Sequence, residues 1–174
     1  IEIFLYRKAT RIISVTKSFK KELITRGIES EKIDVVLNGV DLNKYRKVKT
    51  KDEKFASQYQ LKDKFVFGYI GTHGMAHGLE TIVSVAEKFR DNDKMRFIFV
   101  GGGAKRSSIE NIVKDKKLEN VVMIERQPKE DMDKVWSLCD VALIPLINSD
   151  LFKTVIPSKM FECMGMGIPM IMSV

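Results

Sequence analysis

Lys159 and Glu162 are the residues whose types and spacing first point to chemistry. They lie in the run Pro157-Ser158-Lys159-Met160-Phe161-Glu162, shortly before Gly165, Gly167 and Pro169. Ser158 is a hydroxyl residue suited to an N-cap. The run therefore predicts a short helix opening at Ser158, stopped by Gly165 and Gly167 and followed by an apolar strand from Met170 to Val174. A lysine in the first helical turn meets the positive end of the helix dipole, which disfavours a further cation there. A bound anion reverses the sign, because the free N–H groups and the ammonium then hold it together. Glu162, one turn on, is an acceptor for the hydroxyls of a sugar or a ribose. A buried helix carrying one solvated Lys and one solvated Glu would show the same residues.

Two glycine-rich turns repeat the anion theme. In Gly71-Thr72-His73-Gly74-Met75-Ala76-His77-Gly78, small residues allow the backbone to approach a ligand, and the helix that follows supplies free N–H groups. His77 adds a donor that a bound anion would keep protonated. A turn that needs glycine only for its shape is the alternative. His73 and His77 are four residues apart, but Gly74 between them argues against a regular helix face. No carboxylate of a zinc-protease motif accompanies them, and no metal is expected. In Gly101-Gly102-Gly103-Ala104-Lys105-Arg106, Gly101 and Gly103 fit the first two positions of G-x-G-x-x-G, while the third falls on Arg106. Glu125 lies at a distance suited to binding a ribose, so a dinucleotide reading stays open. The basic residues there favour an anion or are simply solvated. Arg126, in Glu125-Arg126-Gln127-Pro128, stacks on a base or faces solvent.

Pro157-Ser158-Lys159-x-Phe161-Glu162-x-x-x-x-Gly167-x-Pro169 followed by an apolar strand resembles the donor-site motif of GT-B glycosyltransferases of the large retaining family 4. It is most similar to the bacterial members that build capsule, lipopolysaccharide and other polysaccharides. The resemblance runs from about Ile13 to Val174. The stretch from Ala9 to Asp41, closing on Asn38-Gly39-Val40-Asp41, resembles the segment that joins the two halves of such enzymes. The resemblance implies the C-terminal, donor-binding half of a glycosyltransferase that takes a nucleotide-diphosphate sugar, a UDP-sugar before a GDP-sugar. A saccharide or lipid-linked acceptor would be held by an N-terminal domain outside this chain, and the fragment alone would turn over nothing. No metal cofactor is implied, since cationic side chains and helix termini stabilise the diphosphate leaving group.

The resemblance also assigns roles residue by residue. The family's first glycine loop reads G-R…K-G. Thr72 and His77 stand in the places of the two cations, which leaves Lys159, with Lys153, to supply positive charge. Gly101 and Gly103 match a G-x-G turn beside the nucleotide, and Arg126 falls near the base. Asp140 matches the acid of an A-D-V run and orients structure. Two glutamates in the family contact the donor. Glu162 matches the one that holds the ribose, and the other falls on Thr154. That departure changes which sugar is accepted, or leaves the contact to backbone groups of Phe152 to Val155. The runners-up are a sugar-nucleotide 2-epimerase, an NAD-type Rossmann module and a noncatalytic nucleotide-binding domain.

The elements that must position these residues follow from periodicity. Residues 1–9 predict a helix, Arg11–Val15 a strand, Ser18 to Gly27 a helix and Lys32–Leu37 a strand. Asp52–Gln60 is helix-permissive. Strands are expected at Phe65–Ile70, Met95–Val100, Val121–Glu125, Val141–Leu146 and Met170–Val174. Helices are expected at Gly78–Arg90, Arg106–Lys117 and Lys129–Cys139. Short apolar runs separated by helices mean βαβ units and a doubly wound, Rossmann-like α/β fold with a parallel sheet. In such sheets ligands sit beyond the carboxyl ends of the strands, where every candidate above falls.

At 174 residues the chain has room for one full-sized domain. Residue 1 is Ile and the last run is strand-like, which reads as a fragment whose first 43 residues lead in from another domain. With 44% hydrophobic and 30% charged residues, it is globular rather than disordered. Two cysteines, Cys139 and Cys163, fit neither a disulfide framework nor a metal knuckle, so a reducing, cytoplasmic compartment is the default. No apolar run approaches the roughly 20 residues of a membrane span. The net charge of +7 is densest from Lys44 to Lys51. One tyrosine there makes no stacking platform, so nucleic acid is not expected, while peripheral contact with anionic lipid stays open.

Overall fold

The computed structural model describes residues 1–47, 50–150 and 152–173. Val48 and Lys49 of the basic run, Leu151, and Val174 at the end of the last expected strand lie outside the described residues. The chain forms two compact units, one of residues 1–39 with 148–158 and one of residues 40–147 with 159–174. The boundary at Gly39 falls inside the Asn38-Gly39-Val40-Asp41 turn.

The first unit contains helix α1 (Glu2–Lys8), strand β1 (Ile12–Ser14), helix α2 (Lys17–Thr25) and strand β2 (Ile33–Val35). The two strands pair in parallel with Ile12 opposite Ile33. Thr16, two residues before the expected start, is the N-cap of α2: its hydroxyl accepts from the Phe19 N–H at 3.0 Å. That satisfies one of the donors a helix start leaves open. Ile12, Leu23, Ile28 and Ile33 form the core of this unit. The short 3-10 turn Phe152–Thr154 belongs to it as well.

The second unit holds α3 (Glu53–Gln58), β3 (Phe65–Ile70), α4 (Leu79–Lys88), β4 (Met95–Val100), α5 (Arg106–Asp115) and β5 (Val121–Ile124). It continues with α6 (Met132–Ser137), β6 (Val141–Pro145), α7 (Lys159–Met166) and β7 (Met170–Ser173). Its five strands are all parallel, in the order β5-β4-β3-β6-β7. Chain progression runs outward from β3 through β4 to β5, then returns to β6 on the other side of β3. The topological switch point therefore lies between β3 and β6.

Alternate residues of the central strands feed two cores. Val66, Ile70, Ile98 and Val100 pack with Phe55, Trp136, Cys163 and Met166 of α3, α6 and α7. Tyr69, Phe97 and Phe99 pack with Leu79, Ile82, Val83 and Ala86 of α4 and Ile109 of α5. Helices thus cover both faces, as a fully buried parallel sheet requires. The doubly wound α/β expectation holds.

Two local expectations change, and the structural role of Asp140 holds. Lys129–Cys139 divides into a 3-10 turn at Lys129–Asp131 and the shorter α6. Gly165 does not stop α7. It lies inside the helix, where an added Cβ would come within 2.8 Å of the Tyr45 carbonyl oxygen. The stop is Gly167, at φ 68°, with the Ile168 N–H bonding back to the Cys163 carbonyl at 2.9 Å. Asp140 has a structural role: its Oδ2 accepts from the Val66 N–H and from Lys51 Nζ, each at 2.7 Å.

Candidate functional site

The two glycine turns extend the β3–β4 ladder past the ends of the strands. The Gly71 N–H donates to the Val100 carbonyl at 2.9 Å and the His73 N–H to Gly102 at 2.8 Å. The Lys105 N–H then donates to the His73 carbonyl at 2.9 Å. Gly101 sits at φ 135° and a Cβ there would come within 2.1 Å of the Gly71 carbonyl oxygen. Gly103, at φ 143°, would bring a Cβ within 2.7 Å of the His73 carbonyl oxygen. Each of these glycines is required by the other loop's backbone. Gly74 is under no such demand, its Cβ position being open to ordinary contact with His77 and Thr72.

At the switch point Lys159 enters from the start of α7. Its Nζ lies 2.8 Å from the position of a Gly71 Cβ, so Gly71, at φ 144°, leaves space for the ammonium. The same Nζ stands 4.3 Å above the centroid of the Tyr69 ring, a cation–π contact. Burial pulls Lys159 down from the ordinary lysine value to about 8, against weak support from Cys163 and Glu162. Among the described residues Lys159 makes no ion pair. A desolvated, unpaired cation is costly, and an incoming anion relieves the cost.

Tyr69 organises this corner, and periodicity hid it because its alternation marks it only as core. It is fully buried, and its hydroxyl donates to the Thr72 carbonyl at 2.6 Å. Its ring lies 5.7 Å from His73 and 5.6 Å from His77. His77 also places Nδ1 3.4 Å from the Pro145 carbonyl, and the Ile147 N–H bonds to the Ala76 carbonyl at 2.9 Å. The loop from Gly71 to Gly78 thereby bridges the carboxyl ends of β3 and β6. Burial first, then the Lys159 charge, lowers the His77 pKa. Both effects favour the neutral form of His77.

His73 behaves differently from its sequence reading as a loop residue facing a ligand. It is completely buried between Tyr69 and Phe99, and neither ring nitrogen has a hydrogen-bond partner among the described residues. Burial, followed by the charges of Arg106 and Lys159, depresses its pKa to about 4. The unfolded chain, with an ordinary value of about 6.5, takes the proton first as pH falls. The His73 contribution to stability should thus be constant above about pH 6.5 and decline towards about pH 4, levelling below that value. Urea unfolding at stepped pH checks this, and His73→Phe should flatten the slope. An unchanged slope in that variant would remove His73 as its source.

Arg106 is not available to an anion. Its guanidinium donates to the Gly101 carbonyl, to the Ile124 carbonyl at 2.9 Å and to Glu125 Oε1 at 2.9 Å, and it pairs with Glu110 at 2.8 Å. It binds the ends of β4 and β5 together and engages Glu125 in doing so.

Glu162 stands one turn along α7. Its Oε2 accepts from the Trp136 indole N–H at 2.7 Å. The structure thus brings together Gly71, Thr72, His73, His77, Gly101, Gly103 and Lys159, with Glu162 on the same helix as Lys159. Arg126 is exposed on the loop after β5. Thr154, Ser158 and Lys153 belong to the first unit, where Lys153 pairs with Asp150 at 2.8 Å. No group of three or more His, Cys, Asp or Glu side chains suited to a metal occurs among the described residues. Nor is any helix there long and apolar enough to cross a membrane.

A five-stranded parallel sheet with helices on both faces defines the doubly wound α/β class, in which ligands bind at the switch point. The family model for "Glycosyl transferases group 1" matches residues 50–174, more than half of the chain, and that for "Glycosyltransferase Family 4" matches residues 1–44. The chain belongs to the group 1 glycosyl transferases. It is 24% identical over 168 residues to the "Probable glycosyltransferase WbjE" of Pseudomonas aeruginosa, covering 97% of this chain and 42% of that protein. The chain spans about two fifths of the length of the curated relatives it matches. In fold it is similar to Anabaena Alr3699/HepE in complex with UDP-glucose, with a TM-score of 0.80 and 18% identity, covering 98% of this chain and 46% of that one. It is also similar to WaaG, a glycosyltransferase involved in lipopolysaccharide biosynthesis, with a TM-score of 0.76 and 13% identity, covering 95% of this chain and 44% of that one.

Proposed function

We propose that this chain binds the donor of a retaining glycosyltransferase, a nucleotide-diphosphate sugar and in the first place a UDP-sugar. The glycosyl group goes to a polysaccharide or lipid-linked acceptor held by another part of the enzyme, on the cytoplasmic side. Lys159 carries this reading: a half-buried ammonium beside Gly71, with no carboxylate partner among the described residues. A pyrophosphate there would gain the ammonium and the free N–H groups at the start of α7, and both act most strongly as charge builds on the departing diphosphate. Glu162 would take the ribose hydroxyls one turn further on. The cation is a side chain, so the reaction needs no bound metal for this role.

The family assignment, together with the solved relative that holds UDP-glucose, supports a uridine donor. The NAD-type fingerprint lacks its third glycine, Arg106 standing in that place. Calorimetry against UDP, UDP-GlcNAc, GDP and NAD tests the proposal. Binding of UDP or a UDP-sugar is expected, and tight NAD binding with none to UDP or GDP would overturn it. Glu162→Gln should weaken UDP and uridine alike by about 1.5 kcal/mol, the scale of a hydrogen bond to a charged group. A change in stability with both affinities intact would make Glu162 a structural residue.

A further inference from the structure

We propose that Tyr45 and Trp136 are positioning residues for Glu162, holding its carboxylate in the orientation that receives the ribose hydroxyls of the donor. The inference rests on the donor-site reading above and deepens it.

Three observations meet at Glu162. First, Trp136 is completely buried, with its indole N–H aimed at Glu162 Oε2 at 2.7 Å. A buried indole has one donor and no acceptor, so its bond fixes both the ring and the carboxylate. Second, Tyr45 packs partly buried on the core that contains Trp136 and Cys163, where burial first and then the nearby Glu162 charge raise the pKa of its hydroxyl. Third, the backbone is shaped for this contact. The Asp41 carbonyl accepts from the Tyr45 N–H at 2.8 Å, and Asp41 Oδ1 from the Asn43 N–H at 2.9 Å. This folds residues 41–45 into a tight turn. Gly165, three residues beyond Glu162, then admits the Tyr45 carbonyl so closely that a Cβ would lie 2.8 Å away.

Glycine inside a helix costs stability relative to alanine, and here the cost allows the turn to lie against α7. A carboxylate offers about four acceptor positions, so Trp136 and Tyr45 leave room for a vicinal diol. Without them Glu162 would sample several rotamers, and ordering it would be charged against ligand affinity. Neither residue needs to touch the nucleotide.

The test compares UDP with 2′,3′-dideoxy-UDP by calorimetry on the intact protein. The wild type should prefer UDP by about tenfold or more, and Glu162→Gln should abolish the preference. Tyr45→Phe, which removes one hydroxyl from the edge of the core, should cut the preference by about three- to tenfold and leave dideoxy-UDP affinity unchanged. Trp136→Phe should do the same, and neither change should add to Glu162→Gln. Full preference in Tyr45→Phe beside its loss in Glu162→Gln overturns the inference and leaves the donor-site reading intact. Equal weakening of both ligands in Trp136→Phe makes that residue packing alone and overturns its part. A wild type that does not distinguish the two nucleotides, or binds neither, overturns the ribose role of Glu162 and this inference with it.

Discussion

Lys159→Ala should weaken UDP binding by about 1.5–3 kcal/mol, roughly 10- to 150-fold, while leaving the folded state intact or more stable. The loss has the size of a charge-assisted hydrogen bond, because the ammonium has no other partner among the described residues. Stability moves the other way because burial disfavours this charge, as its depressed pKa of about 8 records. The sign of the pH effect follows. An anion binds the protonated form, so it raises the lysine pKa and binding takes up a proton where the free side chain is partly neutral. UDP affinity should therefore fall as pH rises past about 8, and in Lys159→Ala that fall should vanish. Titration calorimetry on either side of pH 8 measures both effects. Unchanged affinity in the variant would return Lys159 to an incidental cation over an aromatic ring.

Gly101→Ala should be the most damaging single methyl that can be added near the site. The new Cβ would meet the Gly71 carbonyl oxygen at 2.1 Å, at a φ of 135° that L-residues avoid. The neighbour is backbone and cannot rotate away. The Gly71 and Gly101 turns must separate, and the hydrogen bonds that link them loosen. Backbone strain and overpacking together should cost about 3–5 kcal/mol in urea unfolding. UDP binding should be lost with it, since Lys159 rests against Gly71. Gly102→Ala is the control: nothing lies within 4 Å of its Cβ position, and its stability should hardly change. Equal effects from the two substitutions would show that the loops do not interlock as described.

Both predictions concern residues the sequence singled out, but for partly different reasons. Gly101 and Gly103 drew notice as a turn that brings backbone close to phosphate. They are glycines first because the other loop's carbonyls occupy the Cβ positions. Arg106 looked like an anion ligand at a helix start and is instead a clamp on two backbone carbonyls and two carboxylates. His73 looked like a loop histidine and is a buried neutral ring. In each case residue type and position were legible, and the surroundings that fix the residue's role include groups from another part of the chain.

The succession of strands and helices, the doubly wound parallel class and the location of candidate residues at strand ends were readable in the chain because they depend on local periodicity and turn residues, whereas the order of the strands in the sheet came from the structure. The motif from Pro157 to Pro169 likewise placed Lys159 and Glu162 one turn apart by helix geometry alone. Only the tertiary structure decided that Lys159 stands over Tyr69 without an ion pair among the described residues, that Gly165 serves a close approach and not a helix stop, and that the Trp136 indole bonds to Glu162. The physical reason is range. Periodicity encodes which face of an element is buried, whereas desolvation, hydrogen-bond partnership and backbone contact depend here on residues 26 to 120 positions away in the chain, which meet only when the sheet has formed.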